Sequence, residues 1–208
     1  MADTTARRDG PSPLSRYAER FAAATRASGG ALRLAELPFL AQVDVRLDPK
    51  GPASDAVGPA LGFPLPLEPN TLARGGEFAA LWLGPDEWLV IGPAGTRTHL
   101  EARLREAVGD RHAAVVDVSA QRTTVLVGGA RAAELLAHGC SLDLHPRSFG
   151  AGRCAQTTLA RAQVVLARAE AGPGFRVLVR SSFAGYLAEW LLDAASEYTW
   201  NSPDSTRT

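Results

Sequence analysis

The sequence predicts an α+β fold made of two ββα-type modules, with antiparallel sheets and helices on one face. Three observations predict it. The first is residues 115–146, VVDVSAQRTTVLVGGARAAELLAHGCSLDLHP. Val115, Val116 and Val118, and then the run TTVLV at 123–127, are rich in the β-branched residues that strands favour. Gly128 and Gly129 break the second run, Ala132, Leu135 and Leu136 recur at helical spacing, and Gly139 stands where that helix stops. The second observation is a hairpin signature at 78–93, FAALWLGPDEWLVIGP, where Gly84-Pro85-Asp86 separates two apolar runs. The third is an internal echo: residues 88–107 align on 175–194 without a gap. Trp88 then falls on Phe175, Val90 on Val177, Ile91 on Leu178, Leu100 on Leu187, Leu104 on Leu191 and Ala107 on Ala194. Two such modules each need a neighbour to cover the sheet.

Taken in order, residues 1–13 read as an arm. Leu14, Tyr17, Ala18 and Phe21 share one face of a helix that Ser12 and Pro13 are suited to cap and start, and Gly29-Gly30 ends it. This arm and helix form a first segment, 1–30; the α+β domain spans 31–200, and 201–208 is a tail. Residues 39–47, FLAQVDVRL, alternate as a strand, with Leu40 fitting the alternation least.

Residues 48–76 change character. Pro49, Pro52, Pro59, Pro64, Pro66 and Pro69 cannot donate backbone hydrogen bonds, which predicts a proline-stiffened extended arm and neither a helix nor an interior strand. Leu61, Phe63, Leu65 and Leu67 make the arm too apolar for a solvated linker. It lies on a surface, either this chain's own or a partner's. If a partner's, those four residues are contact anchors.

After the hairpin, residues 98–108, THLEARLREAV, predict a helix with Leu100, Leu104 and Val108 at spacing four and a Glu101–Arg105 pair at i, i+4. Beyond the central unit, CAQTTLA, QVVLARA and FRVLVRS read as three strands, and FAGYLAEWLLDA as the closing helix.

Composition bounds the function. A chain of 208 residues fits one domain, or two small ones sharing a sheet, and 46% hydrophobic residues are enough for a core. Net charge is zero and the pI is near 6.9, which argues against an electrostatic nucleic-acid binder. Lys50 is the single lysine. Cys140 and Cys154 do not make a disulfide framework and fit a reducing, cytoplasmic compartment. Arg7-Arg8 is not followed by the apolar run of a signal, and no stretch approaches the roughly 20 apolar residues that cross a bilayer.

Candidate chemistry is sparse. His138, Cys140, His145 and Cys154 lie within seventeen residues and are zinc-ligand types, yet H-x-C-x4-H-x8-C lacks the paired ligands of a finger or ribbon. Ser119 has no G-x-S-x-G elbow around it; with Asp117 it is suited to tying down the DVSAQ turn. Asp86 and Glu87 are adjacent, so they point in different directions at a hairpin and suit its solvation. No G-x-G-x-x-G or Walker A pattern occurs. Trp82, Trp88 and Trp190 are expected in or near the core, and Trp200, in the polar tail, at an interface.

At WLGPDEWLV (82–90), DVSAQRT (117–123) and HGCSLDLHPRSF (138–149) the sequence resembles the gamma subunit of heterotetrameric sarcosine oxidase. LPLEPNT before these motifs, and CAQTTLA and VRSSFAGYLAEWLLDA after them, keep the same order, so the likeness covers about residues 38–195. The resemblance implies an abbreviated form of the fold of the folate-dependent aminomethyltransferase of glycine cleavage. It also implies membership of a four-subunit enzyme that oxidatively demethylates sarcosine to glycine. That enzyme makes hydrogen peroxide, and methylenetetrahydrofolate when tetrahydrofolate is present. Its alpha and beta subunits hold the flavins (FAD and FMN), NAD and folate, and its delta subunit holds zinc. The gamma subunit carries no known cofactor, so no catalytic, cofactor-binding or metal residue is expected here. A non-catalytic subunit that stabilises assembly is the leading expectation. The alternatives are a stand-alone folate-binding aminomethyltransferase-like protein and a small-molecule-sensing domain.

Overall fold

The computed structural model describes residues 10–169 and 172–198. A short 3-10 turn, Ser15–Tyr17, leads into α1 (Ala18–Ala27), and together they bury Tyr17 and Phe21. Ser12 does not cap this helix. Its Oγ donates to Glu36 at 2.5 Å, and the same carboxylate accepts from the Leu14 amide at 3.2 Å and from Thr123 Oγ1 at 2.6 Å. The serine thereby fastens the start of the chain to a sheet. Gly29 and Gly30, at φ 61° and 87°, turn the chain into β1 (Arg33–Leu37), a strand absent from the sequence expectations. Then comes β2 (Leu40–Leu47).

The proline-rich residues 48–76 correct the expectation of an extended arm. Pro52–Leu61 is a helix, α2. Pro52 sits in its first turn, where a missing N–H removes no hydrogen bond. Pro59 lies inside it and costs one bond near the end, where Gly62 closes the helix at φ 84° with its N–H on Gly58 O. Burial of Ala53, Val57 and Leu61 on one face offsets that loss. Further on, Leu72–Gly75 forms β3, an edge strand paired with β4 (Phe78–Gly84).

The remaining elements are β5 (Glu87–Ala94), α3 (Arg97–Val108), β6 (Ala113–Asp117), β7 (Arg122–Gly128), α4 (Ala132–Ala137), β8 (Cys154–Leu159), β9 (Ala162–Arg168), β10 (Gly174–Arg180) and α5 (Ala184–Ala195). Two five-stranded antiparallel sheets result, in the orders β1-β7-β10-β9-β8 and β3-β4-β5-β2-β6. The fold class is therefore the expected α+β. Its central unit differs in one respect. β6 pairs with β2 in one sheet, and β7 pairs with β1 and β10 in the other. The DVSAQ turn is a crossing between sheets and not a hairpin.

The echo has a structural counterpart. β3-β4-β5 followed by α3 in one sheet matches β8-β9-β10 followed by α5 in the other, and β1 occupies the edge in its sheet that β6 occupies in its own. Aligned residues share surroundings. Trp88, Val90, Leu100 and Leu104 lie in the core between one sheet and α2–α3; Phe175, Val177, Leu187 and Leu191 lie in the core between the other sheet and α1, α4 and α5. Ile91 and Leu178 both belong to a third, smaller core between the sheets. The layers are thus helix, sheet, sheet, helix, and the sheets meet where β3 and β8 begin, through Leu72 N to Gly152 O and Cys154 N to Asn70 O. Among the described residues, no helix is long and apolar enough to cross a membrane.

Candidate functional site

Alternation along a strand sends every second side chain between the sheets. On β8, β9 and β10 these rows begin with Cys154, Ala167 and Leu178 in the inter-sheet core and end with polar residues: Gln156, Gln163 and Arg180. Arg122 on β7 completes that polar end, as the register partner of Arg180. The result is a cleft of about 310 Å³ lined by Arg122, Gln156, Thr158, Gln163, Val165 and Arg180. Gln156 is oriented by its own bond, Nε2 donating to Leu83 O at 2.8 Å.

The second sheet contributes charge. Arg46 on β2 donates to Glu87 Oε2 on β5 at 2.6 Å. Beside this pair, burial pushes the Asp44 carboxyl up to about 6, and the charge of Glu87 and a hydrogen bond to it push the same way; Arg46 and Arg122 pull against them. Arg122 is held below the usual guanidinium range, first by burial and then by the charge of Arg180, with Asp44 and Glu87 opposing. The arrangement can exchange a proton at Asp44 near pH 6 and can recognise an anion.

The turn between β6 and β7 braces the group. Ser119 donates its N–H to Asp117 Oδ1 at 3.0 Å and its hydroxyl to the same atom at 2.5 Å, and its Oγ accepts from the Gln42 amide at 2.9 Å. Asp117 and Ser119 therefore tie the turn, as the sequence suggested, and the serine hydroxyl is committed to that role. Gln42, buried at 1% exposure, donates Nε2 to Arg122 O at 3.1 Å, and its Oε1 has no partner among the described residues.

The other sequence candidates disperse. Cys140 lies in the core under α4 and α5, and Cys154 lies between the sheets, its thiol 3.1 Å from Thr71 O and pushed up to about 11 chiefly by burial. His138 is exposed at the end of α4, 3.3 Å from the Tyr198 hydroxyl, and His145 is exposed in the following loop. Two thiols in separate cores and two outward imidazoles do not fit one zinc ion. Asp86 is exposed on the hairpin turn, whereas Glu87 faces Asp44. The sequence reading gave both residues to solvation of the hairpin, which holds for Asp86 but not for Glu87, whose partners are Arg46 and Asp44.

Of the four apolar residues in the proline-rich segment, Leu61, Phe63 and Leu65 are buried in this chain's own core and Leu67 is 60% exposed. Trp88 is fully buried, its Nε1 donating to Pro66 O at 2.7 Å, and Trp82 and Trp190 are partly buried against the outer cores. Trp200 lies outside the described residues.

Asp44 gives a test by pH. The folded chain keeps its proton up to about pH 6, while the unfolded chain releases it near 3.8. The stability this proton contributes is fully present below 3.8 and is lost as pH rises through about 6. Asp44→Asn is expected to abolish that decline and to stabilise the chain above pH 7. After discounting for solvent screening the gain is about 1 kcal/mol, or roughly 2–4 °C in melting temperature. Thermal melts at pH 5 and pH 8 check it; an equal effect at both pH values would contradict it.

The comparisons with known proteins agree with one another. The family model described as "Sarcosine oxidase, gamma subunit family" matches residues 46–197. The sarcosine oxidase subunit gamma of Corynebacterium sp. (strain P-1) is 39% identical over 188 residues, covering 90% of each chain. That of Arthrobacter sp is 39% identical over the same length and coverage. Among solved structures, a chain of heterotetrameric sarcosine oxidase from Corynebacterium sp. U-96, in complex with pyrrole 2-carboxylate, superposes with a TM-score of 0.83 and 34% identity. The match covers 92% of this chain and 97% of that one. Aminomethyltransferase T of the glycine cleavage system from Bartonella henselae superposes with a TM-score of 0.64 at 16% identity, over 81% of this chain and 48% of that one. This second likeness shows the fold alone, in the abbreviated form that the sequence implied. The chain belongs to the sarcosine oxidase, gamma subunit family.

Proposed function

We propose that this chain is the gamma subunit of a heterotetrameric sarcosine oxidase, in which it stabilises the assembly while other subunits carry out the chemistry. The observation that carries the proposal is the near end-to-end correspondence with a chain of such a complex, at 34% identity and a TM-score of 0.83. On this reading the alpha, beta and delta subunits are its partners. Alpha and beta hold FAD, FMN, NAD and tetrahydrofolate, delta holds zinc, and the complex works in the cytoplasm on sarcosine. The chemistry of its own side chains supports a scaffolding part. Ser119 Oγ is engaged in a turn, Cys154 is a buried thiol held above the ordinary range, and the proton-exchanging Asp44 adjoins a second carboxylate and arginines without a nucleophile among them. Leu67, exposed where Leu61, Phe63 and Leu65 of the same proline-rich segment are buried, is the one of these four apolar residues suited to touch a partner.

The test is co-expression with the alpha, beta and delta subunits from the same genome. We expect the four chains to co-purify and to release peroxide from sarcosine, and the isolated chain, with flavin supplied, to release none. Peroxide from the isolated chain would refute the scaffolding part, and failure to co-purify would refute membership.

A further inference from the structure

We propose that the Arg122–Arg180 end of the inter-sheet cleft is a docking site for a carboxylate side chain, Asp or Glu, presented by another subunit of the oxidase; this rests on the function proposed above. The argument begins with an arrangement that is unfavourable for the chain alone. Arg122 and Arg180 are direct cross-strand partners on β7 and β10, and like charges placed opposite one another destabilise a sheet. Arg122 is half-buried, which strengthens the repulsion.

The chain's own acids do not discharge the pair. Glu87 is committed to Arg46 at 2.6 Å, and Asp44 shares its hydrogen bond with Glu87. Among the described residues, no carboxylate hydrogen-bonds either Arg122 or Arg180. Arg122 has Arg180 as a like charge and only Asp44 and Glu87 as opposing ones, and with Glu87 committed to Arg46 the arginine pair keeps a surplus of positive charge.

The surroundings fit a carboxylate guest. Thr158 and Gln163 line the same cleft, and Gln156 is already oriented by Leu83, so polar groups flank the two guanidinia. Paired guanidinium donors recognise the two oxygens of a carboxylate in parallel. The source of that carboxylate follows from exposure. Arg180, Gln156, Thr158 and Gln163 are all exposed, so water and salt screen the site against a free small anion. A partner's side chain arrives with its own surface, which excludes that water and makes the contact strong.

The experiment uses the full chain co-expressed with the other subunits. Arg180→Glu is expected to leave the melting temperature of the free chain unchanged or higher, because it turns a repulsion into an attraction. The same change should weaken assembly by about tenfold or more and flatten its dependence on salt. Gln163→Glu places a carboxylate in the cleft from the chain itself, and is expected to raise the melting temperature while also weakening assembly. Wild-type affinity and salt dependence in both variants would overturn the site while leaving the proposed function standing. A wild-type chain that recruits no other subunit would overturn both. A rise in the free chain's melting temperature with millimolar acetate, abolished by Arg180→Gln, would make the guest a free carboxylate and overturn the partner assignment.

Discussion

Replacing Phe63 and Leu65 together by serine is expected to unfold the isolated chain at ambient temperature. Phe63 is 9% exposed and Leu65 6%, and both belong to the core that holds α2 and α3 against their sheet. Phe63 also fills the space above β3: a Cβ built on Gly75 would lie 2.5 Å from its ring. Truncating a buried Phe or Leu costs roughly 3–5 and 2–5 kcal/mol. Neighbouring sites do not add cleanly, so the pair is expected to remove about 5–8 kcal/mol. Total stabilities are of the order of 5–15 kcal/mol, so little is left. Far-ultraviolet circular dichroism of the purified variant, with urea titration if it is soluble, measures this. A variant that melts like the wild type yet loses its partners would put the segment on a partner's surface instead.

The elements legible in the sequence are those whose signal is local. The β4–β5 hairpin, α3, the three strands β8–β10 and α5 each carry their own periodicity, and the echo between 88–107 and 175–194 correctly paired residues that occupy equivalent cores. What was not legible depends on neighbours. Six prolines argue against a helix one at a time, but Pro52 lies where a helix needs no N–H, and Pro59 loses a single bond that the burial of Val57 and Leu61 offsets. β1 was missed because its burial runs exposed, buried and then three half-buried residues, which is not an alternation. The DVSAQ turn looks the same in sequence whether it joins paired strands or crosses between sheets; strand order decides, and strand order is tertiary. The cleft is invisible for the same reason. Asp44, Glu87, Arg122 and Arg180 come from four strands in two sheets, and each alone reads as an ordinary surface charge.

Gly129→Ala is expected to be among the most destabilising single substitutions outside the hydrophobic cores. Gly129 follows β7 at φ 99°, where an L side chain is strained, and a Cβ there would lie 2.3 Å from Ala31 O, 2.8 Å from Ala31 C and 2.9 Å from Leu32 Cα. All three are backbone atoms, so no rotamer change relieves the contact. Ala31 O is moreover fixed by the Arg131 amide at 3.0 Å, which ties the residues before β1 to the start of α4. The chain must therefore move β1 away from β7, breaking the pairing that begins at Arg33 and Gly128. Backbone strain of this kind costs roughly 1–3 kcal/mol, and with lost strand pairing the total is expected to reach about 3 kcal/mol or more, some 6–12 °C in melting temperature. Gly30→Ala separates the two causes. Gly30 has φ 87° but nothing within 4 Å of an added Cβ, so it carries the conformational cost without the clash. It is expected to lose about a third as much. Equal losses in the two variants, measured by thermal melting, would show that φ alone and not the close approach of Ala31 fixes glycine at this turn.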